Sequence, residues 1–282
     1  MQVTARGRLD QAMTWWLRAY LLFAAVQGIA LGITGFVDPP GIQIPLRMSD
    51  LNARFIGALY LAGGVGVLLA AFVRVRREAR LFVLGFGAAT ALILVITLLH
   101  WGELMSEPKS LTQDPRPSWI IAYLLDPLLA LLIVPLAGFL DLGPTTRHRL
   151  SPLFWIQAVV FGALGIGLIL APSLLAVVWP WSMTPVLLGQ LYGCFFLSFA
   201  IGAALAAREE SAVARRIFVL SSLALALCVL LASLLHLDRF RPNAASWVWF
   251  AAFGLIALAF AIASLLRPTR PGGTGQPATA DS

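Results

Sequence analysis

Charge is scarce in this sequence of 282 residues, of which only 12% are Asp, Glu, Lys or Arg. Cysteine is scarcer still, with two in the whole chain, and Lys109 is the single lysine among 20 basic residues. Two cysteines cannot staple a small secreted scaffold, and so few charges exclude a disordered chain or a coiled coil. The motifs of common chemistries are missing as well. There is no Cys-x-x-Cys, no His-Glu-x-x-His, no Gly-x-Ser-x-Gly, no phosphate loop and no dinucleotide fingerprint. These absences argue against metal, nucleotide and nucleophile-elbow enzymes, and they leave no metal site to propose.

What is present is apolar. Hydrophobic residues make up 60% of the chain and mean hydropathy is +0.87, the balance of an all-α polytopic membrane protein. A helix needs about 20 apolar residues to cross a hydrocarbon core of about 30 Å. Eight such runs occur: Trp15 to Val37, Phe55 to Val73, Leu81 to Trp101, Trp119 to Leu140, Pro152 to Val178, Leu187 to Ala207, Ile217 to Leu237 and Trp247 to Leu266. Proline in Trp179-Pro180-Trp181-Ser182-Met183-Thr184-Pro185 breaks the chain between the fifth and sixth runs, and its tryptophans are expected at the membrane interface.

The net charge of +7 lies in short connections between these runs, a pattern of membrane orientation rather than of nucleic-acid binding. Sorted by alternate sides, 14 basic residues fall with the termini and 6 on the opposite side. Both termini are therefore expected in the cytoplasm, and the preference for arginine over lysine suggests a GC-rich bacterial source and its cytoplasmic membrane. The first run leads into Asp38-Pro39-Pro40 without a small-residue cleavage site and reads as an uncleaved start. Residues 1–14 form a cytoplasmic segment. The tail at 267–282, rich in Pro, Gly and Thr, is expected to be disordered.

A shift of 136 residues lays Arg54 to Trp101 on Gln190 to Leu237 without a gap, with 15 of 48 positions identical. Gly57 falls on Gly193, Gly66 on Gly202, Arg80-Leu81-Phe82-Val83-Leu84 on Arg216-Ile217-Phe218-Val219-Leu220, and His100 on His236. After an eight-residue difference in loop length, Ser118-Trp119 falls on Ser246-Trp247. The pattern predicts two four-helix repeats, 15–140 and 152–266, joined by a cytoplasmic linker at 141–151. With an even number of spans each, the repeats run parallel and a pseudo-two-fold along the membrane normal relates them. Gly57, Gly63, Gly64, Gly66, Gly193 and Gly202 read as close-packing positions.

Polar residues inside a membrane are the candidates for function. Asp126 lies about 10 Å below the outer interface if counted from Trp119, and it needs a partner or a proton. Arg54, His100, Glu103, Tyr60 and Tyr123 are the candidate neighbours, with Arg54 first; Glu107 is in the nearby loop. The second half replaces Arg54 by Gln190, Tyr60 by Phe196, Tyr123 by Ala251 and Asp126 by Gly254, as one specialised site on a duplicated scaffold would. Arg54 and Asp126 could equally form a buried strut. His100 and His236 are either helix ends, interacting with the terminal carbonyls, or an axial pair for a haem iron between the halves. Cys194 and Cys228 read as buried thiols, and His148 as a solvated linker residue. The basic run from Arg74 to Arg80 is expected to touch anionic headgroups.

Arg18 entering the first helix, glycines along it, Arg54-Phe55-Ile56-Gly57 opening the second, basic residues before the third and an apolar fourth span together resemble the DoxX-like four-helix membrane proteins, in tandem duplicate. The resemblance implies a bacterial multi-pass membrane protein. That group has no single established chemistry, so it implies no catalytic residue. Three functions follow. The first is a non-catalytic module, with an outward-facing polar site for a small molecule or lipid, or an accessory subunit of a membrane complex or homo-oligomer. The second is a redox protein holding haem or quinone through His100 and His236. The third is a membrane enzyme on a lipid-linked substrate, with Asp126, Glu103 or His100 as acid or base.

Overall fold

A computed structural model describes residues 9–105, 114–140 and 146–266. The expected disordered tail, residues 1–8, Glu107 and Lys109 lie outside the described residues. Among the described residues eight helices are long and apolar enough to cross a membrane: α1 (Trp15–Val37), α2 (Asp50–Ala71), α3 (Arg76–Leu99), α5 (Arg116–Ala137), α6 (Ser151–Leu170), α8 (Leu187–Ala206), α9 (Ala212–Leu234) and α10 (Ala244–Leu265). Short helices α4 (Trp101–Met105) and α7 (Pro172–Val178) follow α3 and α6. The chain is an integral membrane protein.

Helix is the form these runs must take, because hydrocarbon offers no partner to a backbone N–H or C=O left open. Their ends are set by side chains. The hydroxyl of Ser49 accepts from the amide of Asn52, that of Ser211 from Ala214, and the Asn243 carboxamide from Ser246, while Gly138 ends α5 in the left-handed region. Two boundaries differ from the sequence reading in ways that matter. Helix α5 starts at Arg116 rather than Trp119, and α9 stops at Leu234, which leaves His236 beyond the helix.

Helices α2 and α8 are central, each with 67% of its most apolar stretch buried, whereas α1, α5, α6 and α10 are peripheral, at 33% or less. Helix α1 lies along α2, and α6 along α8. The third helices cross over. Helix α9 packs on α2 and carries α10, while α3 packs on α8 and carries α5, so the halves are interlocked rather than side by side. Each crossing is tied by a serine: Ser221 of α9 donates to the carbonyl of Ala62 on α2, and Ser198 of α8 donates to that of Gly85 on α3, both at 2.7 Å.

Corresponding contacts recur in the two halves. A Cβ added at Gly57 would stand 2.9 Å from the carbonyl oxygen of Gly32, and one at Gly193 would stand 2.8 Å from that of Gly165. Past these crossings Arg54 Nε donates to the carbonyl of Phe36, and Gln190 Nε2 to that of Ile169, each at 3.0 Å. The indole of Trp119 donates to Thr97 and that of Trp249 to Ser233, again at 3.0 Å. Buried positions Trp119, Tyr123, Ala130 and Ile133 of α5 match Trp249, Phe253, Phe260 and Ala263 of α10, a spacing of 130 residues. The Ser-Trp match at 118–119 and 246–247 pairs these helices at a spacing of 128 instead. At the spacing of 130 that matches burial, Asp126 falls on Ile256 and Tyr123 on Phe253.

The glycines separate into two kinds. Gly57, Gly64, Gly66, Gly193 and Gly202 each have a neighbour within about 3 Å of where a Cβ would be, as packing requires, but Gly63 has nothing within 4 Å. We expect Gly57→Ala to destabilise by roughly 1–3 kcal/mol through overpacking against Gly32 and Gly35, and Gly63→Ala to leave the unfolding midpoint of the detergent-solubilised protein unchanged. Equal midpoints for the two variants would contradict this division.

Candidate functional site

Asp126 is a carboxylate buried midway along a membrane-spanning helix of the first half. It lies ten residues into the 22-residue α5, about 15 Å at 1.5 Å per residue, so it sits near the middle of the helix rather than in its outer third. Only 2% of it is exposed. Its hydrogen bond comes from Gln27 Nε2 on α1, at 3.4 Å. A carboxylate can accept about four such bonds, and burial without them is costly.

Around Asp126 stand three of the four tyrosines. The hydroxyls of Tyr60 on α2 and Tyr123 on α5 bond to each other, and Tyr20 on α1 lies with both in the electrostatic field of Asp126. The Tyr20 hydroxyl is buried and without a hydrogen-bond partner. Asp126, Gln27, Tyr60, Tyr123 and Thr90 line a cavity of about 60 Å³ whose other walls are apolar, including Gly63, Phe86 and Phe195. A space of that size holds about two waters or one small polar group. Through Gly63, Val67, Phe86, Ala89 and Phe195 it adjoins a second cavity of about 70 Å³ that reaches Phe82 and Phe218 between the interlocked halves.

In the second half larger apolar side chains stand at the corresponding positions. Phe161 stands where Gly28 lies against the first cavity, Phe196 replaces Tyr60, Phe253 replaces Tyr123 and Phe199 replaces Gly63. The rings of Phe161 and Phe196 meet edge to face at 5.1 Å. Cavity and carboxylate thus occur together, on one side of the molecule.

The remaining sequence candidates go elsewhere. Arg54 is not the partner of Asp126, because its Nε is spent on the Phe36 carbonyl and its Nη1 lies 2.5 Å from His236 Nε2. His236 and His100 have different partners: the Nδ1 of His100 is 3.0 Å from Glu103 Oε1, on an exposed turn past α3. Nε2 of His236 is thus turned to a guanidinium and Nδ1 of His100 to a carboxylate. His148 is half-buried rather than solvated, with Nε2 2.9 Å from the Ala206 carbonyl. Trp179 and Trp181 are buried around Phe55 rather than displayed at the interface.

Sequence reasoning missed Asn52. It is buried on α2 and ties the second half to the first, accepting from Trp181 Nε1 at 2.7 Å and Tyr192 at 2.9 Å while donating to the Ser182 carbonyl at 3.2 Å. An asparagine at a helix start carries no signal of such partners 129 and 140 residues away. Nor does Gln27, a lone amide within the first run, carry a signal that its partner is Asp126 on α5.

A guanidinium has only donors, so His236 Nε2 must accept from Arg54, and the neutral ring carries its proton on Nδ1. Burial first, and then the Arg54 charge, hold the imidazole below its ordinary value. The unfolded chain binds this proton more readily, so the stabilisation is present above the ordinary value and is lost as pH falls toward the lowered one. Between about pH 7 and pH 5 the unfolding midpoint of the wild type is expected to fall further than that of His236→Gln; parallel curves would sink the assignment. Comparison of the chain with protein-family models, with curated proteins and with solved structures finds no match.

Proposed function

We propose that this protein is a membrane-embedded binding module for an amphipathic small molecule or lipid, whose hydrogen-bond-donating or cationic end is held by Asp126 and whose apolar body lies in the slot between the halves. The observation that carries this is a nearly fully buried carboxylate with one long hydrogen bond, facing a cavity. A strut would have its charge matched by a partner such as Arg54, but Arg54 is engaged elsewhere. Gly63 adds a second support. It has open space at its Cβ position where the two cavities adjoin, so glycine there leaves room rather than permitting helix contact.

The same reading takes the chain as a tandem duplication of a DoxX-like unit, on the support of the recurring glycine crossings and carbonyl-directed side chains in the two halves. One copy kept a polar cavity and the other filled it with phenylalanine. By the positive-inside rule the arginine-rich end faces the cytoplasm, in a bacterial inner membrane.

The test is mass spectrometry of small molecules and lipids that stay with the protein purified in mild detergent. Asp126→Asn removes the charge, and Gly63→Phe fills the slot with the side chain found at the corresponding Phe199. Both variants are expected to elute as the wild type does and to lose a species retained by it, by roughly tenfold or more for the charge contact. The same retained species at the same level in all three proteins would refute the proposal.

A further inference from the structure

At the arginine-rich end a second cleft, of about 120 Å³, opens between the starts of α6 and α9 and the end of α10, and it is unrelated to the Asp126 cavity. Arg149, Arg215 and Arg216 line it together with His148, and Val219, Ala263 and Leu266 form its apolar wall. Three guanidiniums in one cleft repel each other unless an anion lies between them. The two neighbouring acids do not supply it. The Glu209 carboxylate is 3.4 Å from Arg80, and the Glu210 carboxylate is bonded to Arg77 and Thr146. Their backbone carbonyls accept from Arg215 Nη1 at 2.7 and 2.8 Å and fix that guanidinium in place, and the Glu209 charge also acts on Arg215.

Comparison within the chain sharpens the point. Arg216 corresponds to Arg80, whose buried ion pair with Glu209 locks α3 to the loop after α8. The residue that corresponds to Glu209 is Val73, so Arg216 keeps the cation of that pair in a place where the acid is missing. Among the described residues neither Arg149 nor Arg216 forms an ion pair with a carboxylate. The run from Arg74 to Arg80, by contrast, has Arg77 bound to Asp10 at 2.7 Å and Arg80 bound to Glu209. Those two cations are occupied within the protein.

We infer that this cleft binds a phosphate group, and specifically the phosphodiester of an anionic lipid whose chains follow the Val219, Ala263 and Leu266 wall. Arginine suits the task because its planar fork offers paired donors to phosphate oxygens, and basic pockets between helices at a membrane surface are the usual place for such headgroups.

The full chain in detergent would be titrated with phosphatidylglycerol, phosphatidylcholine and inorganic phosphate, with bound lipid counted by native mass spectrometry and phosphate binding by calorimetry. Phosphatidylglycerol is expected to bind the wild type more tightly than phosphatidylcholine does. The double variant Arg149→Gln/Arg216→Gln should weaken it by roughly tenfold or more, Arg149→Lys/Arg216→Lys should restore part of the loss, and Arg239→Gln, at the opposite end, should change nothing. Inorganic phosphate that binds as tightly as the lipid, with the same loss in the double variant, would overturn the lipid source in favour of a free anion. Equal phosphatidylglycerol binding by the wild type and a correctly eluting double variant would overturn the site itself.

Discussion

Hydrocarbon gives helices no hydrophobic reason to associate, so this molecule depends on the places where two backbones come within touching distance. The crossings at Gly57 over Gly32 and at Gly193 over Gly165 are those places, and a single methyl group at either would collide with a carbonyl. They fix α1 on α2 and α6 on α8. With these pairs set, the central helices present Ala62 and Ser198 to the third helices of the opposite half, and the serine bonds there close the crossing. Large side chains can then be used freely around this frame, as in the rings of Phe55, Trp179, Trp181, Tyr192 and Trp249 packed at one end.

The polar groups divide by what they satisfy. Asn52 has three partners and joins the halves, and the ion pairs of Arg77 and Arg80 do the same at the far end. Such networks are worth having only when every member is paired. Asp126, with one long hydrogen bond, breaks that pattern beside the cavity at Gly63. Stability alone gives no reason to retain a buried carboxylate there; apolar residues of similar volume, as at Ile256, fill the corresponding position in the other half.

The architecture was legible because hydropathy reports length directly: each expected run overlaps one of the eight long helices. Asp126, Tyr60 and Tyr123 were legible as a cluster because their depth in the runs is similar. Arg54 was misplaced for a physical reason, since its partner His236 lies 182 residues away and reaches it only because the third helices cross over. Hydropathy is silent on that exchange. The register of the fourth helices was missed because Ser-Trp is a local match, whereas burial of Phe253 and Phe260 is a tertiary fact. The basic cleft was invisible for the same kind of reason: which arginines have acids nearby depends on Glu209 and Glu210 turning toward α3.

The exchange of third helices also bears on how the chain is made. Helix α2 finds its cover in α9, whose first residue follows the last of α2 by 141 positions (212 less 71), so the first four helices leave the ribosome without the partner that buries their centre. Neither half is a finished unit during synthesis. Until α9 arrives, the face of α2 around Ala62 and Gly66 has only lipid, or a neighbouring nascent chain, to lie against. The last quarter of the sequence therefore decides whether the first quarter is assembled, and quality control of this protein is a matter of waiting for its C-terminal helices.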